Sequence, residues 1–171
     1  MSEEIIVSID SREKYPIPFP ATIRLDGHVL QVKPVVQKRL VGDYGLACDP
    51  QGCVIERKAS QRELLQNLFS PDQTRALRAF KRLADNAKHP VLLIEMYPAE
   101  FFATRDLEPG FDPEDIVYRL HAVAARFGFS LFMAGRSTDR RILGKHLLHM
   151  MCAHALASGA LILQTRSDRA K

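Results

Sequence analysis

Gly42-Asp43-Tyr44-Gly45-Leu46-Ala47-Cys48-Asp49-Pro50-Gln51-Gly52-Cys53-Val54-Ile55-Glu56-Arg57-Lys58 is the stretch around which the rest of the chain is organised. Its apolar run is broken by Asp49-Pro50-Gln51-Gly52, a turn signal, so residues 44–58 read as two antiparallel strands joined by a short loop. Side chains alternate faces along a strand, which puts Glu56 and Lys58 on one face and Arg57 on the other. Asp43 sits where the first of these strands begins. An Asp, a Glu and a Lys converging on one sheet edge suit metal-dependent phosphodiester hydrolysis. Two carboxylates hold Mg²⁺ through hard oxygen ligands, and the lysine orients the attacking water or helps to deprotonate it.

At 171 residues the chain is expected to be one domain, residues 1–171, with a core over about 5–158 and a polar C-terminal tail. A content of 46% hydrophobic and 26% charged residues fits a soluble globular protein. The net charge of +4 leans only weakly towards a polyanionic partner. The three cysteines, Cys48, Cys53 and Cys152, do not match a zinc framework and read as free thiols in a reducing cytosol. Met1-Ser2-Glu3-Glu4 is acidic and leads straight into a strand, unlike a signal peptide, and the apolar runs are too short to span a bilayer. The expectation is an intracellular soluble protein with no membrane partner, cytoplasmic or nucleoid-associated in a bacterial or phage setting.

Ile5-Ile6-Val7-Ser8-Ile9 is a β-branched run that ends at Asp10-Ser11-Arg12-Glu13-Lys14. A buried strand delivering charges at its C-terminal end is a common way to build a site on an α/β sheet, and also a common solvated strand end. Pro16, Pro18 and Pro20 mark an extended segment. Asp26-Gly27-His28 marks a hairpin between Thr22–Leu25 and Val29–Val32, and Val35–Val41 leads into Gly42-Asp43. Ser60 with Glu63 three residues on is a capping box, which predicts a helix over 61–69. Ser70-Pro71-Asp72 opens a second helix with Leu77, Phe80, Leu83 and Ala84 as its apolar stripe. Arg75, Arg78, Lys81, Arg82 and Lys88 fill its other faces. Such a row is usually solvated, but next to an acidic site it is a source of phosphate contacts.

His89-Pro90 stops that helix, and Val91-Leu92-Leu93-Ile94-Glu95 reads as a central strand, with Glu95 lining the site or marking its rim. Phe101 and Phe102 are expected to pack under a loop that reaches Pro109-Gly110. Asp112-Pro113-Glu114 starts a helix ending at Gly128, and Phe129–Met133 is a short strand. Ser137-Thr138-Asp139 caps a long helix over 140–157, followed by a polar tail after Gln164. That helix carries His146, His149, Cys152 and His154, three of them at i, i+3 and i+6. Zinc sites draw ligands from more than one element, and no carboxylate accompanies these residues, so packing is the preferred reading. Ile142, Leu143, Leu147, Met150, Met151 and Leu156 form the packing face, expected to be shared with a second copy in a homodimer. No Walker loop, Gly-x-Ser-x-Gly or His-Glu-x-x-His occurs.

Four segments carry a family resemblance: Ile9-Asp10-Ser11-Arg12-Glu13, Val41-Gly42-Asp43-Tyr44, Ile55-Glu56-Arg57-Lys58 and Pro90-Val91-Leu92-Leu93-Ile94-Glu95. Their order and spacing, over roughly Ile5 to Phe132, resemble the nuclease domain of the XPF/Hef family of structure-specific DNA endonucleases. The Gly-Asp followed by Glu-Arg-Lys is the specific part. The resemblance implies a restriction-endonuclease-like α/β core, a central mixed β-sheet flanked by helices. It implies that Asp10, Asp43 and Glu56 ligate Mg²⁺ or Mn²⁺, with Glu13 in support. Lys58 would position the water and stabilise charge at the attacked phosphate, while Arg12 and Arg57 hold the site or the DNA backbone. Arg75 falls where the family has an arginine on the following helix, and Arg78, Lys81 and Arg82 extend the expected DNA contact.

Two departures stand out. The family motif continues Glu-Arg-Lys-x-x-x-Asp, whereas here Arg62 holds that position and the acid, Glu63, follows it. Leu64-Leu65-Gln66-Asn67-Leu68 fits the family pattern when Glu63 is aligned, so Glu63 is expected to take the role through one inserted residue; otherwise the acid is lost. The family's tandem helix-hairpin-helix module is not expected, so affinity would come from a second copy, a partner nuclease-like or DNA-binding subunit, or the target itself. The leading expectation is a metal-dependent endonuclease for branched or flap-like DNA in repair or recombination. Its rivals are a catalytically inactive nuclease-like DNA-binding subunit or scaffold, which should have lost its acids, and a sequence-specific restriction-type enzyme.

Overall fold

A computed structural model of the chain describes residues 4–69, 73–102, 112–135 and 139–163. Its strands are β1 (Glu4–Asp10), β2 (Thr22–Leu25), β3 (His28–Gln37), β4 (Tyr44–Leu46), β5 (Cys53–Lys58), β6 (His89–Ile94) and β7 (Ser130–Met133). Its helices are α1 (Gln61–Phe69), α2 (Gln73–Asn86), α3 (Pro98–Phe101), α4 (Pro113–Phe127) and α5 (Arg140–Ala157). The strands form one mixed seven-stranded sheet in the order β2-β3-β1-β4-β5-β6-β7. β1 is parallel to β3 and antiparallel to β4; β4 is antiparallel to β5; β5, β6 and β7 run parallel. β1, β5 and β6 therefore deliver their carboxyl ends to the same sheet edge, and β4 begins there. That edge gathers the charged residues of all four motif segments.

Alternation along the strands divides the core in two. Cys53 and Ile55 of β5 and Val91 and Leu93 of β6 pack on the α5 side, while Val54, Leu92 and Ile94 pack with α1, α2 and α4. Strands covered on both faces carry continuous apolar runs, which is what β5 and β6 show. On α5, Leu143, Leu147, Leu148, Met151, Cys152 and Ala155 are buried against the sheet. Met150 and Leu156 are partly buried against the same core, and of the named stripe Ile142 alone is more than half exposed, at 55%. The apolar face expected to mediate a homodimer is thus covered for the most part by the chain's own sheet. The thiols of Cys53 and Cys152 are free, and burial pushes both up to about 12.

α1 spans the expected residues, and α4 closes at Gly128 in the left-handed conformation (φ 69°). The hairpin turn is Asp26-Gly27, both at positive φ (45° and 82°), as a two-residue primed turn requires. β3 differs from expectation: it is one strand that runs through Pro34. Val32 N–H donates to Ala21 O (2.9 Å) towards β2, whose pairing with β3 ends at Thr22 opposite Gln31. Pro34 faces the same way, beyond that end, so its missing N–H breaks no ladder bond. The expected Ser70-Pro71-Asp72 helix start, the Pro109-Gly110 loop, Ser137-Thr138 and the tail from Gln164 lie outside the described residues. Among the described residues no helix is long and apolar enough to cross a membrane.

Candidate active site

Asp43 is stitched between two strands. Its N–H donates to Ile55 O (2.7 Å), its carbonyl accepts from Asp10 N (2.8 Å), and its Oδ2 accepts from Arg57 N (2.8 Å). Gly42 makes this approach possible. It sits at φ 68°, and a Cβ there would lie 2.4 Å from Val54 Cγ1 and 3.1 Å from Ile55 O. The glycine of the Gly-Asp pair thus delivers the acid against β5.

Burial raises the Asp43 carboxyl to about 7, and the neighbouring Glu56 charge adds to the rise. Glu56 Oε1 accepts from Lys58 Nζ at 2.9 Å, as the shared strand face requires. Lys58 Nζ also reaches Glu63 Oε1 (3.3 Å) and lies over the Phe80 ring of α2, 5.7 Å from its centroid. Burial pulls the Lys58 pKa down, but Glu56 and Glu63 outweigh it and leave it above the ordinary lysine value. Its two carboxylate partners thus favour the charged ammonium form of Lys58.

Glu63 joins the cluster through helix-capping chemistry. Its N–H donates to Ser60 Oγ (3.2 Å), and its Oε2 accepts from Ala59 N (2.9 Å), one residue before the usual capping-box partner. The shift leaves Oε1 facing Lys58. Arg62 is exposed.

Arg57 points to the opposite face. Its Nη1 donates to Glu13 (3.1 and 3.2 Å) and its Nη2 to Glu95 Oε2 (2.5 Å), with all three side chains close to 10% exposed. Arg140, at the start of α5, stands 3.6 Å from the other Glu95 oxygen. Asp10 is held by Arg12 through its backbone N (2.7 Å), Nε and Nη2 (both 2.8 Å), and accepts from Arg39 N (3.1 Å). Hydrogen bonding to Arg12 lowers Asp10 to about 2. Of the three expected metal ligands, Asp43 and Glu56 each keep one oxygen, Oδ1 and Oε2, without a hydrogen bond among the described residues, whereas both Asp10 oxygens are engaged. Among the described residues no three His, Cys, Asp or Glu side chains stand grouped to hold a metal ion.

The two aspartates titrate with opposite signs. Asp43 is higher in the fold, at about 7, than the 3.8 of a free aspartate, so its contribution to stability is full below pH 4 and lost as pH rises through 7. Asp43→Asn keeps an oxygen for Arg57 N–H and removes the ionisation. With partial exposure discounted, it should raise stability at pH 8 by about 1–2 kcal/mol, or roughly 3–6 °C in Tm, with no gain near pH 4. Thermal melts of both proteins at the two pH values check this, and a gain of equal size at both would refute it.

A family model described as the ERCC4 domain matches residues 9–142, well over half of the chain. The chain belongs to the ERCC4-domain family. Solved structures share its fold. XPF from Aeropyrum pernix is similar with a TM-score of 0.61 at 15% identity, covering 94% of this chain and 66% of that one. XPF from Aeropyrum pernix in complex with DNA gives a TM-score of 0.55 at 16% identity, covering 95% and 69%. The chain therefore spans about two thirds of the length of these relatives. No curated protein matches it in sequence. The fold is the XPF-type nuclease-domain fold, the restriction-endonuclease-like α/β architecture expected from the four motif segments.

Other expected site residues fall elsewhere in the family fold. Arg75, Arg78 and Arg82 are exposed on the side of α2 opposite its buried Phe80 and Leu83, and Lys81 pairs with Asp85 (2.6 Å). They do not join the carboxylate cluster. On α5 two of the three histidines are separately occupied: His149 Nδ1 contacts Lys145 O (2.8 Å) and His154 stacks on His89 (4.1 Å between centroids). Arg39 and Arg140 were not anticipated. Neither lies in a motif, and only tertiary packing places them at this edge.

Proposed function

We propose that the chain is a divalent-metal-dependent endonuclease acting on branched or flap-like DNA. The observation that carries the proposal is the Asp43–Glu56 pair, two mutually repelling carboxylates beside a charged lysine on an ERCC4-domain scaffold. Asp43 and Glu56 are the residues that would hold a cation and so relieve that repulsion, and hard carboxylate oxygens suit Mg²⁺ or Mn²⁺. Bound there, the ion would polarise the scissile phosphate and lower the pKa of a water. Lys58, held by Glu56 and Glu63, would set its ammonium against charge developing on the phosphate and orient the water. Arg57 would keep the strand carrying both residues in place through Glu13 and Glu95. DNA as the substrate is supported by family membership and by a relative of the same fold in complex with DNA, and the preference for branched DNA follows from the resemblance of the four motif segments to structure-specific endonucleases.

Labelled flap, fork, junction and plain duplex DNA, each with Mg²⁺ or EDTA, test this reading. Mg²⁺-dependent cutting concentrated on branched substrates is expected. Cutting at one duplex sequence regardless of branching would contradict it and favour a restriction-type enzyme. Full engagement of Asp10 by Arg12 and Arg39 favours a second reading, a non-catalytic DNA-binding subunit, because it leaves two acids rather than three for a metal. DNA binding without cutting, with either Mg²⁺ or Mn²⁺, would select it.

A further inference from the structure

A cavity of about 280 Å³ opens on the face of β1 and β4 away from α5, bounded by the chain that leads to Asp43 and by the β4–β5 turn. Among the described residues its polar lining is Ser8, Gln37, Lys38, Arg39, Gln51 and Asn86, with no carboxylate. Arg39 dominates the space. The residue is only 9% exposed, and its Nε is buried with no hydrogen-bond partner. The guanidinium lies over Gly45, where a Cβ would stand 2.5 Å from Nη2 and 3.0 Å from Cζ. Gly45 pairs with Ser8, so the sheet has a side-chain-free position that accommodates the arginine. Gln37 Nε2 donates to Ser8 Oγ (2.8 Å), which leaves the Ser8 hydroxyl proton free for the cavity.

A buried cation with an unsatisfied donor is costly unless something outside the chain completes it. Asp10 and Asp43 lend Arg39 electrostatic support, but neither accepts a hydrogen bond from its guanidinium. The missing partner must be an acceptor small enough for this space and negative enough for a lining of donors. A phosphate oxyanion meets both conditions, and arginine is well suited to it. We infer that the Arg39 cavity is a phosphate-binding pocket that receives a phosphate of the DNA strand beside the scissile position. This rests on the DNA reading above and extends it with an anchoring point distinct from Asp43, Glu56 and Lys58. The phosphate belongs either to a strand end, as a monoester, or to an internal linkage, as a diester.

Calorimetric titration in EDTA tests the pocket without cleavage and without metal. The probes are inorganic phosphate and short single-stranded oligonucleotides ending in a 5′-phosphate or a 5′-hydroxyl. Wild-type protein is expected to bind both oligonucleotides saturably, and Arg39→Gln to weaken binding by about tenfold or more. Gln51→Glu, on the exposed turn, places a carboxylate in the pocket and should weaken binding while the circular dichroism stays that of the wild type. It decides the matter alone if Arg39→Gln does not fold. Tighter binding of the 5′-phosphorylated oligonucleotide identifies a strand end; equal binding of both, lost in the variants, identifies an internal phosphate. Binding that both folded variants retain at wild-type strength, or no saturable binding by the wild type, overturns the inference. Because no arm involves cutting, these outcomes stand apart from the success or failure of the nuclease reading.

Discussion

Arg57→Ala should cost about 3–5 kcal/mol of stability, a fall in Tm on the order of 10 °C for a chain of this size. The reason lies in what remains. Glu13 and Glu95 stand 10% and 11% exposed and share Arg57 as their bridge, so truncation leaves two desolvated carboxylates facing each other. Glu95 keeps Arg140 at 3.6 Å, whereas the remaining bond to the Glu13 carboxylate is from the Tyr15 N–H (2.9 Å). Adding Glu13→Gln to Arg57→Ala should therefore recover more stability than adding Glu95→Gln. Replacing the bridge whole, with Arg57→Met, Glu13→Gln and Glu95→Gln together, should return most of the loss, because neutral partners carry no desolvation debt. Chemical denaturation of the four variants measures this directly. A loss under 1 kcal/mol for Arg57→Ala would mean that the bridge is a solvated surface pair.

Lys58→Met should lower the rate of DNA cleavage by about 10²–10³-fold while preserving side-chain volume, since one preorganised charge at a developing oxyanion is typically worth that much. A second effect separates this electrostatic role from a merely structural one. The Lys58 ammonium helps to hold the Asp43 carboxyl down against burial and Glu56, so its removal should lift that carboxyl above its value of about 7. The residual activity of Lys58→Met should then rise at a higher pH than wild-type activity does. An unshifted pH profile, with the rate merely scaled down, would show that Lys58 does not act on Asp43 electrostatically. Lys58→Arg should rescue poorly, because the planar guanidinium fork does not reproduce a point charge shared between Glu56 and Glu63.

Much of this arrangement was legible in the residues themselves. The Asp49-Pro50-Gln51-Gly52 turn and the alternation of Glu56, Arg57 and Lys58 determine which side chains share a face, and Ser60 with Glu63 marks the start of α1. These are local signals, set by backbone conformation within a few residues. What stayed hidden depends on distant chain segments. β3 runs through Pro34 because β2 ends before it, a fact about a neighbouring strand. Glu95 read equally as site or rim until Arg57, on the adjacent parallel strand, supplied its partner. Asp10 was grouped with Asp43 by resemblance, and their backbones do meet, but Arg12 two residues away engages both of its oxygens. Arg39 carries no motif, and its importance comes from Gly45 on a strand beside it. The apolar face of α5 suggested a partner because amphipathicity does not tell an internal sheet from a second subunit.

The central claim is that Asp43, Glu56 and Lys58 form a metal-dependent hydrolytic centre. Single-turnover cleavage of a labelled flap, with wild-type protein and Glu56→Gln side by side in Mg²⁺ and in EDTA, tests it most directly. Glu56→Gln keeps the strand and an acceptor for Lys58 but removes one of the two hard anionic ligands. The account predicts cutting by the wild type in Mg²⁺ alone and a loss of at least about a hundredfold in Glu56→Gln. Cutting by Glu56→Gln at the wild-type rate, or undiminished cutting by the wild type in EDTA, would contradict it.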